Sequence, residues 1–380
     1  CFNIALGCCA GNALNEGDDN ILLGCHTGKL LTSGTNNLLI GKRAGCSLTS
    51  GTQNIMIGSN IGRSIETSGD NILIGRGVAQ NTGTPCSNIV MGQEAGYHIT
   101  TGACHNVILG MQAGCNISSG QKNVFIGYQS AGKCAVTGDE NIVIGRNVAQ
   151  RLTSGSDNVF IGRYAASQSN WTGNCNIVMG YSALSDAGSS SNTVAIGRYA
   201  AGNIAGSGNN VFIGNEAGCG DTATSASTEY NVMVGGLAGK CNCGNGNVYL
   251  GQCAGMHGMN SAYNVAIGLN AGLYFNNHAC QNTVIGYSAG VNITTGRYNT
   301  FLSANSGCTN TTGCYNVAIG YQVTLPNATD SYQFAIGAQT NRWIVGNNNF
   351  NVGIGTNYPD AAVGVGNTAK LSVGIVSAYQ

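Results

Sequence analysis

Asn3-Ile4-Ala5-Leu6-Gly7 opens a motif of one amide, three apolar residues and a glycine. It returns as Asn123-Val124-Phe125-Ile126-Gly127 and Asn158-Val159-Phe160-Ile161-Gly162, and it closes at Gln333-Phe334-Ala335-Ile336-Gly337. The motif is written twenty times, and nineteen of its last residues are Gly, with Ser303 the exception. The Gly spacing is 17 or 18 residues, apart from one step of 21 (Gly214 to Gly235) and one of 16 (Gly235 to Gly251). So regular a period decides the architecture, because each unit can bury its apolar face only against its neighbours.

Three consecutive apolar residues predict a short strand. The residue before the Gly is Ile, Leu, Met or Val in all twenty repeats, and the residue three before it is apolar in 18 of 20. These two share one face of a strand, and the residue between them faces the other way. That middle residue is also apolar in all twenty: Leu22, Met56, Phe125, Phe160, Phe212, Tyr249 and Phe301 among them. A lone solenoid should present polar residues to water on one side. This strand hides both sides, so one face fills the chain's own coil and the other needs a second copy of the chain. The middle column, with Phe125, Phe160, Phe212 and Phe301, is the expected subunit interface.

The amide four before the Gly is Asn in 18 of 20 repeats, replaced by Thr193 and Gln333. Stacked amides form hydrogen-bonded ladders, which gives Asn20, Asn37, Asn54, Asn71, Asn88, Asn123 and Asn158 a structural role. The repeated Gly serves a positive φ or a close backbone approach. Three residues after the Gly, Ala occurs in twelve repeats, and polar corners such as Thr49-Ser50-Gly51 and Thr294-Thr295-Gly296 follow. Each rung is expected to hold two short strands joined by Gly-rich turns. The expected fold is all-β, a parallel β-solenoid or β-roll of about 20 rungs packed or intertwined as a homotrimer. At about 4.8 Å per rung it would extend about 95 Å. The repeats occupy 1–337, with 338–380 as a cap or transition segment.

Composition limits the function. Gly is 60 of 380 residues and Pro only 3, while charged residues are 8% against about 25% in ordinary soluble domains. Lys plus Arg equals Asp plus Glu at 15 each, so no strongly basic or acidic balance points to nucleic acid. No run of about 18 apolar residues suggests membrane insertion. The chain starts at Cys1 rather than Met, which reads as a processed product or fragment.

The run Asn-x-x-Ile-Gly-x-x-Ala-Gly-x-x-x-Thr-Thr-Gly resembles the repeats of bacteriophage tail-fibre proteins. It is also similar to the head repeats of trimeric autotransporter adhesins, which are trimers of parallel β-rolls with shorter units. Asn351-Val352-Gly353-Ile354-Gly355-Thr356-Asn357-Tyr358-Pro359, followed by Ala369-Lys370-Leu371-Ser372-Val373, looks like the segment that precedes the self-cleaving chaperone of phage fibres and tailspikes. The end at Gln380 is about where a cleaved fibre would stop, and no heptads of an adhesin stalk are present. The resemblance implies a structural fibre for host attachment, located in the virion. Its partners would be further copies of itself, other tail proteins and a host-surface glycan or protein. A bacterial surface adhesin head is the alternative.

Chemistry-bearing patterns are weak. Gly127-Tyr128-Gln129-Ser130-Ala131-Gly132-Lys133-Cys134 approaches a phosphate-binding loop, but Cys134 stands where the Mg²⁺-binding hydroxyl is needed and no helix is expected after it. Glu16, Asp18 and Asp19, like Asp139 and Glu140, lie in turns before the amide ladder and read as solvated rather than as a glycosidase pair. The five His are scattered, and the 17 Cys form no CxxC pair. Cysteine is therefore expected as a small apolar corner residue, with cross-rung or intersubunit disulfides as the alternative. No enzyme activity, cofactor or metal is expected. Thr ladders suited to ice are interrupted by Gly at each corner, and a polysaccharide depolymerase lacks its acid pair. Departures from the pattern mark the candidate receptor-binding residues: Thr222, Thr224, Thr228 and Tyr230 in the 21-residue step, and the aromatics Trp171, Tyr274 and Phe275 in turns, whose faces suit sugar stacking. Trp343 is expected to pack at the end of the solenoid.

Overall fold

The computed structural model describes residues 2–81, 83–204, 208–220, 228–276, 278–349 and 351–355. It is a parallel β-solenoid of about 19 turns with no helix among the described residues. Within each compact unit the apolar triplets form short strands, and successive strands pair in parallel with like residues opposite: Ile21 with Leu38, Leu22 with Leu39, Leu23 with Ile40. Insertions of one residue are absorbed in the corners, so this register is the same across 17- and 18-residue steps (Phe125 opposite Val143, Val143 opposite Phe160).

The described residues fall into two compact units. The first, 2–209, holds twelve such strands, from Ile4–Leu6 to Val194–Ile196. The second begins at Asn210 and holds Val211–Ile213 through Val317–Ile319, with Phe334–Ala338 paired in parallel to the last of these. There the direction changes: Asn341–Gly346 pairs antiparallel with Phe334–Ala338, and Val352–Ile354 antiparallel with Asn341–Gly346. Trp343 in this closing meander is 63% exposed, not packed as the sequence suggested, because it alternates outward along its strand.

Opposite the main sheet, pairing is sparse. His98–Ile99 pairs with Asn116–Ile117, and single bridges join Leu152 to Trp171 and Cys86 to Cys104. The expected second strand is therefore mostly a run of turns. Its backbone is still satisfied turn to turn, as in Gly28 N–H to Ala44 O at 2.9 Å and Gly45 N–H to Ile61 O at 3.0 Å.

The amide column binds the turns together. Asn37 Nδ2 donates to Asn20 Oδ1 at 2.9 Å, and the Asn37 backbone N–H donates to the same oxygen at 3.1 Å. Asn54, Asn71 and Asn88 continue this pattern, and each Nδ2 also reaches a carbonyl of the next turn, as Asn37 does to Gly51 O at 2.8 Å. Asn158 does likewise with Gly173 O as acceptor, while Asn123 joins the column through its backbone N–H to Asn106 Oδ1 at 2.9 Å and its Nδ2 reaches Gly138 O. All are buried within the chain. In the second unit the series ends at Gln333, whose longer side chain turns back to Asn327 O and Asp330 O.

The glycine that ends each triplet is forced by both conformation and space. Gly110 has φ +134°, and a Cβ there would lie 2.6 Å from Gly127 O of the next turn. Ser303 takes the same place at φ +105°. A side chain at that angle is strained, so Ser303→Gly is expected to raise stability by about 1 kcal/mol, measured as a higher midpoint of urea unfolding.

Candidate functional site

The strand triplets decide which face is available. In every described repeat triplet after the first, the middle residue is buried and its two neighbours are half-buried or exposed. Leu22, Met56, Phe125, Phe160, Phe212 and Phe301 point into the coil and are at most 1% exposed in a single chain. This reverses the assignment made from sequence. Phe125, Phe160, Phe212 and Phe301 are core residues, and no second copy can touch them without opening the coil. The reason lies across the coil. A second apolar column, seven residues after the repeat Gly, fills the same interior: Leu31, Leu48, Ile65, Ile99, Ile117 and Leu152 are all buried.

That column also corrects two receptor-binding candidates. Trp171 is paired in register with Leu152, fully buried, and its ring meets Phe160 edge-on with centroids 4.9 Å apart. Its indole N–H is satisfied by Gly173 O at 3.1 Å. Phe275 occupies the same column, buried 6.3 Å from the Tyr249 ring. Both read as exposed because their surroundings are turn-like, yet a solenoid corner still has an inside. Thr228 is buried as well. Tyr230 is exposed, and Tyr274 is half exposed with one face stacked on His257 at 5.4 Å. Thr222 and Thr224 lie outside the described residues.

The face left open is the outer side of the sheet. It carries the first and third residue of each triplet, almost all Ile, Val, Leu or Met, and none is charged. Within the first unit Ile21, Ile89, Met91, Ile142, Ile177 and Met179 are each 37–42% exposed despite contacts with the turns above and below. Ile213, Ile285 and Ile319 repeat this in the second unit. It is a continuous apolar strip in each unit.

Several surface stacks went unread in the sequence. Tyr298, Tyr315 and Tyr332 directly precede the ladder amide and lie in left-handed conformation with parallel rings, 4.6 and 5.0 Å apart. Their common offset from the Asn was the available signal. In the first unit Arg163 lies over the Tyr164 and Tyr181 rings at 4.8 and 5.8 Å, and Arg198 over Tyr199 at 4.7 Å. Hydrogen bonding to Arg163 holds the Tyr164 phenol below its ordinary range. Tyr249 is the reverse case: burial pushes its phenol up, while its hydroxyl contacts Ser261 Oγ at 3.0 Å. Glu140, one of the turn carboxylates, pairs with Lys122 at 2.8 Å on the surface, and that contact lowers its range.

Cysteine follows the alternative reading at one pair and departs from the small-apolar-corner reading elsewhere. Cys86 and Cys104, equivalent residues of adjacent turns, form a disulfide with Cα atoms 4.8 Å apart. The other described cysteines are half-exposed or exposed, so they sit on the outside of the corners rather than filling them. Among the described residues, no three of His, Cys, Asp and Glu are grouped to hold a metal ion, and no helix is long and apolar enough to cross a membrane. Comparison with protein-family models, with curated proteins and with solved structures finds no match for the chain.

Proposed function

We propose that the chain is the structural part of a homotrimeric attachment fibre, of the phage tail-fibre kind, that carries receptor-binding surfaces to a host cell. The observation that supports this is the uncharged outer strip of the sheet. In the first unit, twelve triplets at about 3.3 Å per residue and 4.8 Å per strand give a strip on the order of 600 Å². That is the upper limit for a patch on an ordinary monomer, and it approaches the roughly 800 Å² that one partner buries in a standard interface. Its occupant is a second copy of the chain: the strip repeats one chemistry at every turn, so a copy offers a surface of matching chemistry and spacing. The resemblance of the repeats to fibre and adhesin heads favours three copies. Assembly would then multiply any weak surface contact through avidity.

Substitution of the strip separates this reading from a monomeric solenoid. Ile142→Glu with Ile177→Glu is expected to give a soluble chain with an unchanged β-type circular dichroism spectrum and one-third of the native mass. Binding of labelled protein to a panel of bacterial cells should fall in parallel, by about 100-fold or more. An unchanged mass for the double variant would remove the strip from the assembly.

A further inference from the structure

Near the start of the first unit, a groove crosses three successive turns. It is lined by four basic side chains, His26, Lys29, Arg43 and Arg63, with Leu30 and Cys46 among them, and no carboxylate lines it. The repeat explains the convergence. His26 and Arg43 are both the second residue after a repeat Gly, and both are left-handed, with φ +59° and +60°. Their N–H groups bind Cys8 O and Cys25 O of the preceding turns at 2.8 and 2.9 Å. Lys29, Cys46 and Arg63 share the fifth place after the Gly in consecutive turns. At about 4.8 Å per turn, Lys29 and Arg63 stand about 10 Å apart along the stack.

One feature separates this from a corner of mixed, mutually compensated charge. Neither ion pair found among the described residues, Lys122 with Glu140 and Lys240 with Glu216, involves these cations. Three cations that converge on one groove with no carboxylate in its lining leave a positive site that an oxyanion would neutralise.

We propose that this groove binds an oxyanion: a sulfate, phosphate or carboxylate group, supplied by an acidic polysaccharide or by a free inorganic ion. The Arg43 and Arg63 guanidinium groups offer forked donors for two oxygens, and Lys29 adds a point charge. The His26 ring lines the groove beside them. The site gives the attachment reading a ligand class, and only its biological occupant rests on that reading. Oxyanion binding itself needs one chain.

The test is isothermal titration of the full chain with a heparin-derived octasaccharide, inorganic phosphate and neutral dextran, at low and physiological salt. The octasaccharide is expected to bind and dextran not to. Arg43→Ala with Arg63→Ala should weaken binding at least tenfold, the loss of about one charge-assisted hydrogen bond, while Lys122→Ala, remote in sequence, should not. Circular dichroism verifies the fold; should the double variant be unfolded, Arg63→Ala alone carries the comparison. Binding of phosphate without the octasaccharide upholds the groove and assigns it a free anion. No binding of either anion, or equal binding by the folded variant, overturns it. Sedimentation of the same samples reports the assembly independently, so failure of the groove and failure of the fibre reading are distinguishable.

Discussion

Phe160→Asp is expected to unfold the turns around it in the isolated chain, at a cost of more than about 5 kcal/mol. Phe160 is fully buried between its paired neighbours Val143 and Val178 and meets Trp171 across the coil. Truncating a buried Phe alone costs about 3–5 kcal/mol, and the neighbouring indole N–H of Trp171 is already committed to Gly173 O, so the Asp carboxylate would be buried without compensation. Each turn of a solenoid contacts only its neighbours, so the damage should spread from the middle of the first unit rather than remain at one side chain. Limited proteolysis would detect it as new cleavage in the corners on either side of 160, together with loss of β-type circular dichroism. Phe160→Leu, which keeps an apolar group there, should cost only about 1–2 kcal/mol. A folded, protease-resistant Phe160→Asp chain would contradict the inward placement of the middle column.

Asn158→Ala should cost about 3–5 kcal/mol, more than a typical polar truncation. Its Nδ2 donates to Asn141 Oδ1 at 3.0 Å and to Gly173 O at 2.9 Å. Its Oδ1 accepts from the Asn176 backbone N–H at 3.0 Å and from Asn176 Nδ2 at 2.8 Å. Removing one amide therefore leaves groups of three residues short of partners where water is excluded. The loss should show as a lowered midpoint of urea unfolding. Asn158→Thr should recover part of it, since Thr193 occupies this column natively and its N–H keeps the bond to Asn176 Oδ1 at 3.0 Å. An Asn158→Ala chain with unchanged stability would mean that the ladder is incidental to the stacking.

The repeat, its register and the amide column were legible because a strict period leaves one way to stack. The direction of the triplet was not. All three of its residues are apolar, and alternation distinguishes two faces without saying which is inside. Variation in size decides it. The middle column runs from Ala195 and Ala266 to Phe160 and Tyr249, as an interior must when volumes compensate between neighbouring turns, whereas the flanking columns are dominated by β-branched Ile and Val that suit an exposed sheet surface. Trp171 and Phe275 were misplaced for a related reason. They lie in turns by local chemistry, but nine and seven residues after a repeat Gly they project into the coil. The basic groove was invisible because His26, Arg43 and Arg63 are far apart in sequence, and only the stacking brings them together.

Sedimentation equilibrium of the full chain, in reducing and non-reducing buffer, tests the central claim most directly: that the outer apolar strip is covered by other copies. Three times the 38.7 kDa chain mass is expected in both buffers. A stable 38.7 kDa monomer in both would contradict it, since the strip would then be an ordinary solvent-facing surface.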